Sequence, residues 1–192
     1  MDQPTNDKIQ PWETRNSKMA FDHRWFKVRQ DEVKLPNGTI LDDFFVWEKG
    51  DVAAVVPVTA DGNFILVRQY KHGVGQIIME VPAGFVDKGE DPKQAAHREL
   101  REETGYQSDN LELLAALSDN PTKATGTTYV YLAQNAVKKH DTHFDDNEEI
   151  ETLVKTPQEF LELMTSGKLY ATGSVAAGML ALAKLGLLTP KN

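Results

Sequence analysis

The apolar positions of this chain fall into short runs of strand length and longer stretches of helical period. Asp51 to Val58 is a continuous Val/Ala-rich run, Asp61-Gly62 makes a turn, and Phe64 to Tyr70 returns as a second strand, which predicts a hairpin. Upstream, the apolar stretches between His23 and Trp47 flank Pro36-Asn37-Gly38-Thr39, a second hairpin signal. Residues 21–49 therefore read as a small β-element, and the polar, aperiodic residues 1–20 as a mobile leader. Ile77 to Val81 is a short strand ending at Pro82, and Leu111 to Leu117, Thr127 to Leu132 and Ile150 to Lys155 are further strands. Three helices are predicted. The first opens at Asp91-Pro92, with Asp91 at the N-cap, Pro92 at N1, Gln94 at the capping-box position and Gly105 past the end. Pro157 to Thr165 is amphipathic and stopped by Gly167; Ser174 to Leu188 is rich in Ala and Leu. This order predicts a single α/β domain over residues 50–190, with a mixed sheet between helices.

Composition narrows the chemistry. The chain has no cysteine, which excludes disulfides, thiolate metal sites and cysteine nucleophiles. Its first residues lack the basic and apolar regions of a secretory signal, and the apolar stretch Val175 to Leu188 is too short to span a bilayer. A cytoplasmic protein with no membrane partner is expected. The formal net charge of -8 repels polyanions, so no nucleic-acid interface is expected either. A small anionic ligand is still admissible if divalent cations invert the local field.

The chemistry concentrates between Gly84 and Tyr106. Successive helical residues advance by about 100°, so Glu99 and Glu103 stack on one face with Glu102 to the side. Two readings are open. The carboxylates form a solvated face whose repulsion Arg98 and Arg101 offset, or they form a hard-cation site of the kind that Mg²⁺ or Mn²⁺ occupies.

Gly84, Glu90, Arg98, Glu99, Leu100, Glu102, Glu103 and Gly105 stand at the spacing G-x5-E-x7-R-E-U-x-E-E-x-G-U, with Tyr106 in place of the last aliphatic residue. The segment resembles the Nudix box, and the chain is identified as a member of that hydrolase superfamily. The resemblance implies an α/β/α sandwich and Mg²⁺-dependent hydrolysis of a nucleoside diphosphate linked to another group, with Mn²⁺ as the alternative ion. It implies Glu99 and Glu103 as principal metal ligands, Glu102 as a further one, the Ala83 carbonyl as another, and Glu90 with Arg98 as a structural brace.

Flanking features resemble the ADP-ribose pyrophosphatase and nucleoside diphosphate sugar branch. Glu80-Val81-Pro82-Ala83-Gly84 looks like its E-x-P-A-G approach to the box, Val67-Arg68-Gln69-Tyr70 like its VRQYR strand, and Pro121 lies about 15 residues past the box. Lys71 departs from the second arginine, and Ser118-Asp119-Asn120-Pro121-Thr122 lacks the Ser-Pro-Gly of many members. The branch implies a homodimer to which the N-terminal β-element contributes. It also implies substrate contacts from Arg68 and Glu80, and an aromatic that stacks on the base. Trp25 and Trp47 are the candidates, beside Phe26 and Phe45. The catalytic base is expected in the acidic loop from Asp145 to Glu151, at Glu148 or, next, Glu149. GDP-mannose or another sugar nucleotide, and a non-catalytic nucleotide sensor, are the alternatives.

Overall fold

The structure, a computed structural model, describes residues 9–142 and 149–188, which form two compact units. The smaller comprises the N-terminal residues through Lys49 together with Asn120–Gly126. It holds an antiparallel sheet in the order β1 (Glu13–His23), β2 (Phe26–Lys34), β3 (Ile40–Trp47). The hairpin at Pro36–Thr39 forms as expected; Gly38 takes φ +88°, and Leu35 and Thr39 close the turn with a 2.8 Å hydrogen bond. The leader expectation is corrected over the residues of β1. This strand pairs along β2 from Glu13↔Lys34 to His23↔Phe26, yet all its residues are exposed, so no apolar alternation announces it. Asp31 anchors the sheet: its buried carboxylate accepts hydrogen bonds from Arg29 Nε and Ser17 Oγ, and Arg29 reaches on to Glu48.

The larger unit is built on an eight-stranded mixed sheet. Its main path runs β11 (Ile150–Lys155), β5 (Phe64–Lys71), β4 (Val52–Thr59), β10 (Thr128–Lys138), β8 (Tyr106–Gln107). Strand β6 (Gln76–Glu80) pairs with β5, β7 (Ala83–Phe85) with β4, and β9 (Asn110–Leu117) with β10. The β4–β10 pair is parallel and the others are antiparallel. Strand β4 shows why its sequence is apolar without alternation. Ala53 and Val55 face α1 (Pro92–Thr104), packing with Ala95, Ala96, Leu100, Tyr131 and Ala133. Ala54, Val56 and Val58 face the opposite core, with Phe64, Leu66, Leu132 and the helices α2 (Pro157–Thr165) and α3 (Thr172–Lys184). A strand covered on both faces has no polar side to show. This is the α/β/α sandwich anticipated from the order of elements.

The local differences have local causes. Asp91 caps α1 through Lys93 N at 2.7 Å, but Gln94 does not complete a capping box; its N–H bonds the Asp91 carbonyl instead. A full box forms at α2, where Thr156 and Glu159 exchange side-chain and backbone bonds. Helix α3 ends at Lys184, before the expected Leu188, and Gly186 follows in the left-handed region. Gly178 of α3 meets Phe160 and Met164 of α2, and a Cβ there would stand 2.6 Å from Met164 Sδ. Strands β7 and β8 are too short for periodicity to reveal.

Candidate active site at the β7–α1 segment

The site is assembled by β7, the loop after it, and α1. Leu100, Ala95 and Ala96 bury one stripe of the helix on the sheet, and the side chains of Glu99 and Glu103 reach β7. Gly105, φ +71°, ends the helix with its N–H on the Arg101 carbonyl. A Cβ on Gly105 would collide with the His140 carbonyl, so both its conformation and its surroundings demand glycine.

Glu103 is 4% exposed, and its Oε2 accepts the Ala83 N–H at 3.0 Å. One turn earlier, the Glu99 carboxylate lies over the Cα of Gly84, in the space a Cβ would fill. Two carboxylates thus converge on adjacent backbone units of β7. Glu102 is more open and bonds Arg98 Nη1 at 3.5 Å and Arg101 Nη2 at 3.2 Å.

Arg98 ties the set together. Its Nε and Nη2 bind both oxygens of Glu90, at 3.2 and 3.0 Å; Nη2 also donates to the Phe85 carbonyl at 2.9 Å, and Nη1 to Glu99 at 2.5 Å. Glu90 closes the loop on itself by accepting the Asp87 N–H at 3.0 Å. The Arg98 hydrogen bonds, then that backbone bond, hold the Glu90 carboxyl below the usual carboxylate range. Glu90 in turn raises the affinity of Arg98 for its proton.

Among the described residues no three acidic or histidine side chains cluster closely enough to enclose an ion alone. The donor set nevertheless fits a small hard cation. Every donor is an oxygen, two carboxylates meet the backbone of β7 at Ala83 and Gly84, and such ions complete their shells with waters and phosphate oxygens.

Next to Ala83 opens a cavity of about 190 Å³, entirely within the larger unit. Its polar wall includes Gln69, Lys71, Glu80, Asp119, Thr128 and Ser174. Lys71 pairs with Glu80 at 3.3 Å, Thr128 Oγ1 donates to both Asp119 oxygens, and Ser174 Oγ accepts the Val81 N–H. Open grooves of about 410 and 510 Å³ lie elsewhere on this unit and contain no residue of β7. The smaller cavity is the one that reaches β7, at Ala83, the residue before Gly84.

Of the other sequence candidates, Glu80 lines this cavity, whereas Arg68 is exposed, pairs with Glu151 at 3.0 Å and borders the larger groove. Trp25 and Trp47 belong to the smaller unit. Trp25 is 75% exposed at the β1–β2 turn with Arg24 against its ring; Trp47 stacks on Phe26 at 5.3 Å and carries Lys49 on its ring. Glu149 is exposed just before β11, and Glu148 lies outside the described residues. Sequence reasoning missed Lys71, Asp119, Thr128 and Ser174 as wall residues. The alternation of β5, which places Gln69 and Lys71 on one face, was the available signal for Lys71. Asp119, Thr128 and Ser174 meet only through tertiary folding.

Comparison with known proteins identifies the family. The NUDIX domain family matches residues 48–171, and the nucleoside diphosphate sugar hydrolase N-terminal domain matches residues 12–47. The chain is 33% identical to a methanol dehydrogenase activator of Bacillus methanolicus, over 85% of this chain and 89% of that protein. It is 36% identical to an ADP-ribose pyrophosphatase of Bacillus subtilis, over 73% and 76% respectively. A crystal structure of an ADP compounds hydrolase shares the fold, with TM-score 0.81 at 22% identity over 95% of this chain and 100% of that one. With its box residues gathered on β7 and α1 and both of its regions matched, the chain belongs to the Nudix hydrolases.

Proposed function

We propose that the protein hydrolyses the diphosphate linkage of nucleoside diphosphate sugars, with ADP-ribose favoured and AMP and ribose 5-phosphate as products. The observation that carries this reading is the convergence of Glu99 and Glu103 on the Ala83–Gly84 backbone beside a polar cavity. The relatives named ADP-ribose pyrophosphatase or ADP-sugar pyrophosphatase support the substrate class.

Mg²⁺, or Mn²⁺ in its place, would be held by Glu99, Glu103, Glu102 and the Ala83 carbonyl. When bound it supplies charge neutralisation for the diphosphate and acidifies a water. The protein's own groups do the rest. Arg98 and Glu90 keep the box loop against the helix, so that Glu99 stays over Gly84. Glu80 and its neighbours in the cavity bind the sugar half, Arg68 binds the nucleotide half, and Trp25 or Trp47 stacks on the base. Glu148, or failing it Glu149, takes the proton of the attacking water. A homodimer formed through the N-terminal sheet is part of this proposal. The exposed Phe21, Trp25 and Phe26 of that sheet support it, and sedimentation of the purified chain as a monomer would contradict it.

The test is release of phosphate from a panel of sugar nucleotides in the presence of a phosphatase, with Mg²⁺ and with EDTA. ADP-ribose is expected to be cleaved only with metal. A preference for GDP-mannose would move the substrate, and turnover of nucleoside triphosphates alone would reject the proposal. Glu148→Gln is expected to lose most of kcat with substrate binding retained. If only Glu149→Gln does so, the base is reassigned, and if neither does, the base lies outside the loop. The relative named as a methanol dehydrogenase activator favours a second reading, in which the hydrolase stimulates an alcohol dehydrogenase. Addition of the protein to purified methanol dehydrogenase tests it directly.

A further inference from the structure

The cavity beside Ala83 is walled by residues of the larger unit alone, and several of its polar side chains are engaged with one another. Lys71 Nζ and Gln69 Nε2 both meet Glu80 Oε2, at 3.3 and 3.5 Å, and Thr128 Oγ1 gives its proton to Asp119. Ser174, in the first turn of α3, differs from them. The residue is 5% exposed, and its Oγ accepts the N–H of Val81, itself buried, at 3.2 Å. A hydroxyl carries two lone pairs and one proton; the amide takes a lone pair, and the proton remains to be given. Among the described residues nothing accepts it. A Cβ on the adjoining Gly173, which also lines the cavity, would meet nothing within 4 Å, so the wall is open beside the hydroxyl.

At low local dielectric such a donor binds an oxygen more strongly than it would at the surface. The Val81 N–H also holds the Ser174 side chain in one orientation, so little freedom is lost when it donates. The carboxylates of Glu80 and Asp119 in the same wall repel a phosphate and accept from hydroxyls. A neutral polyhydroxyl group meets both conditions, because each of its oxygens can donate to a carboxylate or accept from Ser174. We infer that Ser174 is a specificity-determining residue: its hydroxyl, anchored by Val81, donates to an oxygen of the sugar ring or its hydroxyls and so selects substrates that carry a sugar on the diphosphate. This inference rests on the sugar-nucleotide reading proposed above, with the sugar half in this cavity.

The experiment compares Ser174→Ala, Ser174→Cys and Ser174→Thr with the unaltered protein in two measurements. The first is steady-state hydrolysis, with Mg²⁺, of ADP-ribose and of the β-methyl ester of ADP, which keeps the diphosphate linkage but has a methyl group in place of the sugar. Ser174→Ala and Ser174→Cys should raise KM for ADP-ribose by about 3- to 10-fold, the worth of one neutral hydrogen bond, with kcat within about twofold. For the methyl ester both should leave KM within about twofold. Ser174→Thr keeps the hydroxyl and should match the unaltered protein on both substrates. The second is calorimetric titration with ribose 5-phosphate, whose binding the alanine and cysteine variants should weaken by a similar factor. An unchanged KM for ADP-ribose in both variants overturns the inference. So does an equal rise for the two substrates, which would make Ser174 only the support of Val81. If Ser174→Ala does not fold, Ser174→Cys, close to serine in size, decides the matter alone. If the unaltered protein binds ribose 5-phosphate but cleaves no sugar nucleotide, the proposed function fails, and the titrations still decide whether Ser174 holds the sugar.

Discussion

Gly84 is where the site is most sensitive to a single atom. Its backbone lies under the Glu99 carboxylate, so a methyl group at this position and the carboxylate cannot share the space. Gly84→Ala should push Glu99 outward without removing it. The expected result is a loss of Mg²⁺ affinity and activity of about 10- to 100-fold, typical of displacing a group that orients a ligand. A metal titration of the activity checks this, and wild-type behaviour would show that Glu99 is not held at β7 in the working enzyme. At this scale the sequence was most legible where spacing along one helix decides geometry. Arg98, Glu99 and Glu103 are separated by fixed turns of α1, and Glu90, in the loop before it, is held by Arg98. It was least legible for Asp119, Thr128 and Ser174, which come together from the loop after β9, from β10 and from α3. No local period encodes such a meeting.

At the scale of an element, the loop between β7 and α1 behaves as a clamp closed by one ion pair. Glu90 is held below its ordinary value of 4.5 because Arg98 and the Asp87 N–H favour its charged form. A carboxylate with a lowered folded-state pKa stabilises the fold fully above its unfolded pKa and loses that contribution as pH falls through the lowered value. Glu90→Gln should therefore lower Tm by a constant amount at neutral pH, and the gap from the unaltered protein should shrink below about pH 4.5. A gap that persists unchanged at pH 3 would mean that the pair is not what closes the loop. The helices were legible because caps and stops are local: Asp91-Pro92 opens α1, and Pro157–Thr165 is α2 as read from its pattern. β1 was not, because a fully exposed strand is specified by its ladder to β2 and not by its own alternation.

For the molecule as a whole, the decisive feature is the parallel pairing of β4 with β10. Val52 lies opposite Thr128, and β7, which carries Ala83 and Gly84, borders the other edge of β4. The strand beneath the site therefore receives β7 and β10 from opposite sides of α1 in the sequence. During synthesis, β4, β7 and α1 emerge long before β10, and contacts of such separation are slow to close. Ribosome-bound chains that stop before Thr128 should thus be digested readily across residues 52–105, whereas chains extending well past Lys138 should resist. Equal resistance in both would show that the first part folds alone. The consequence concerns timing: the carboxylates that define the enzyme are translated early, but their scaffold is completed late, so an unfinished chain carries the signature without the catalyst.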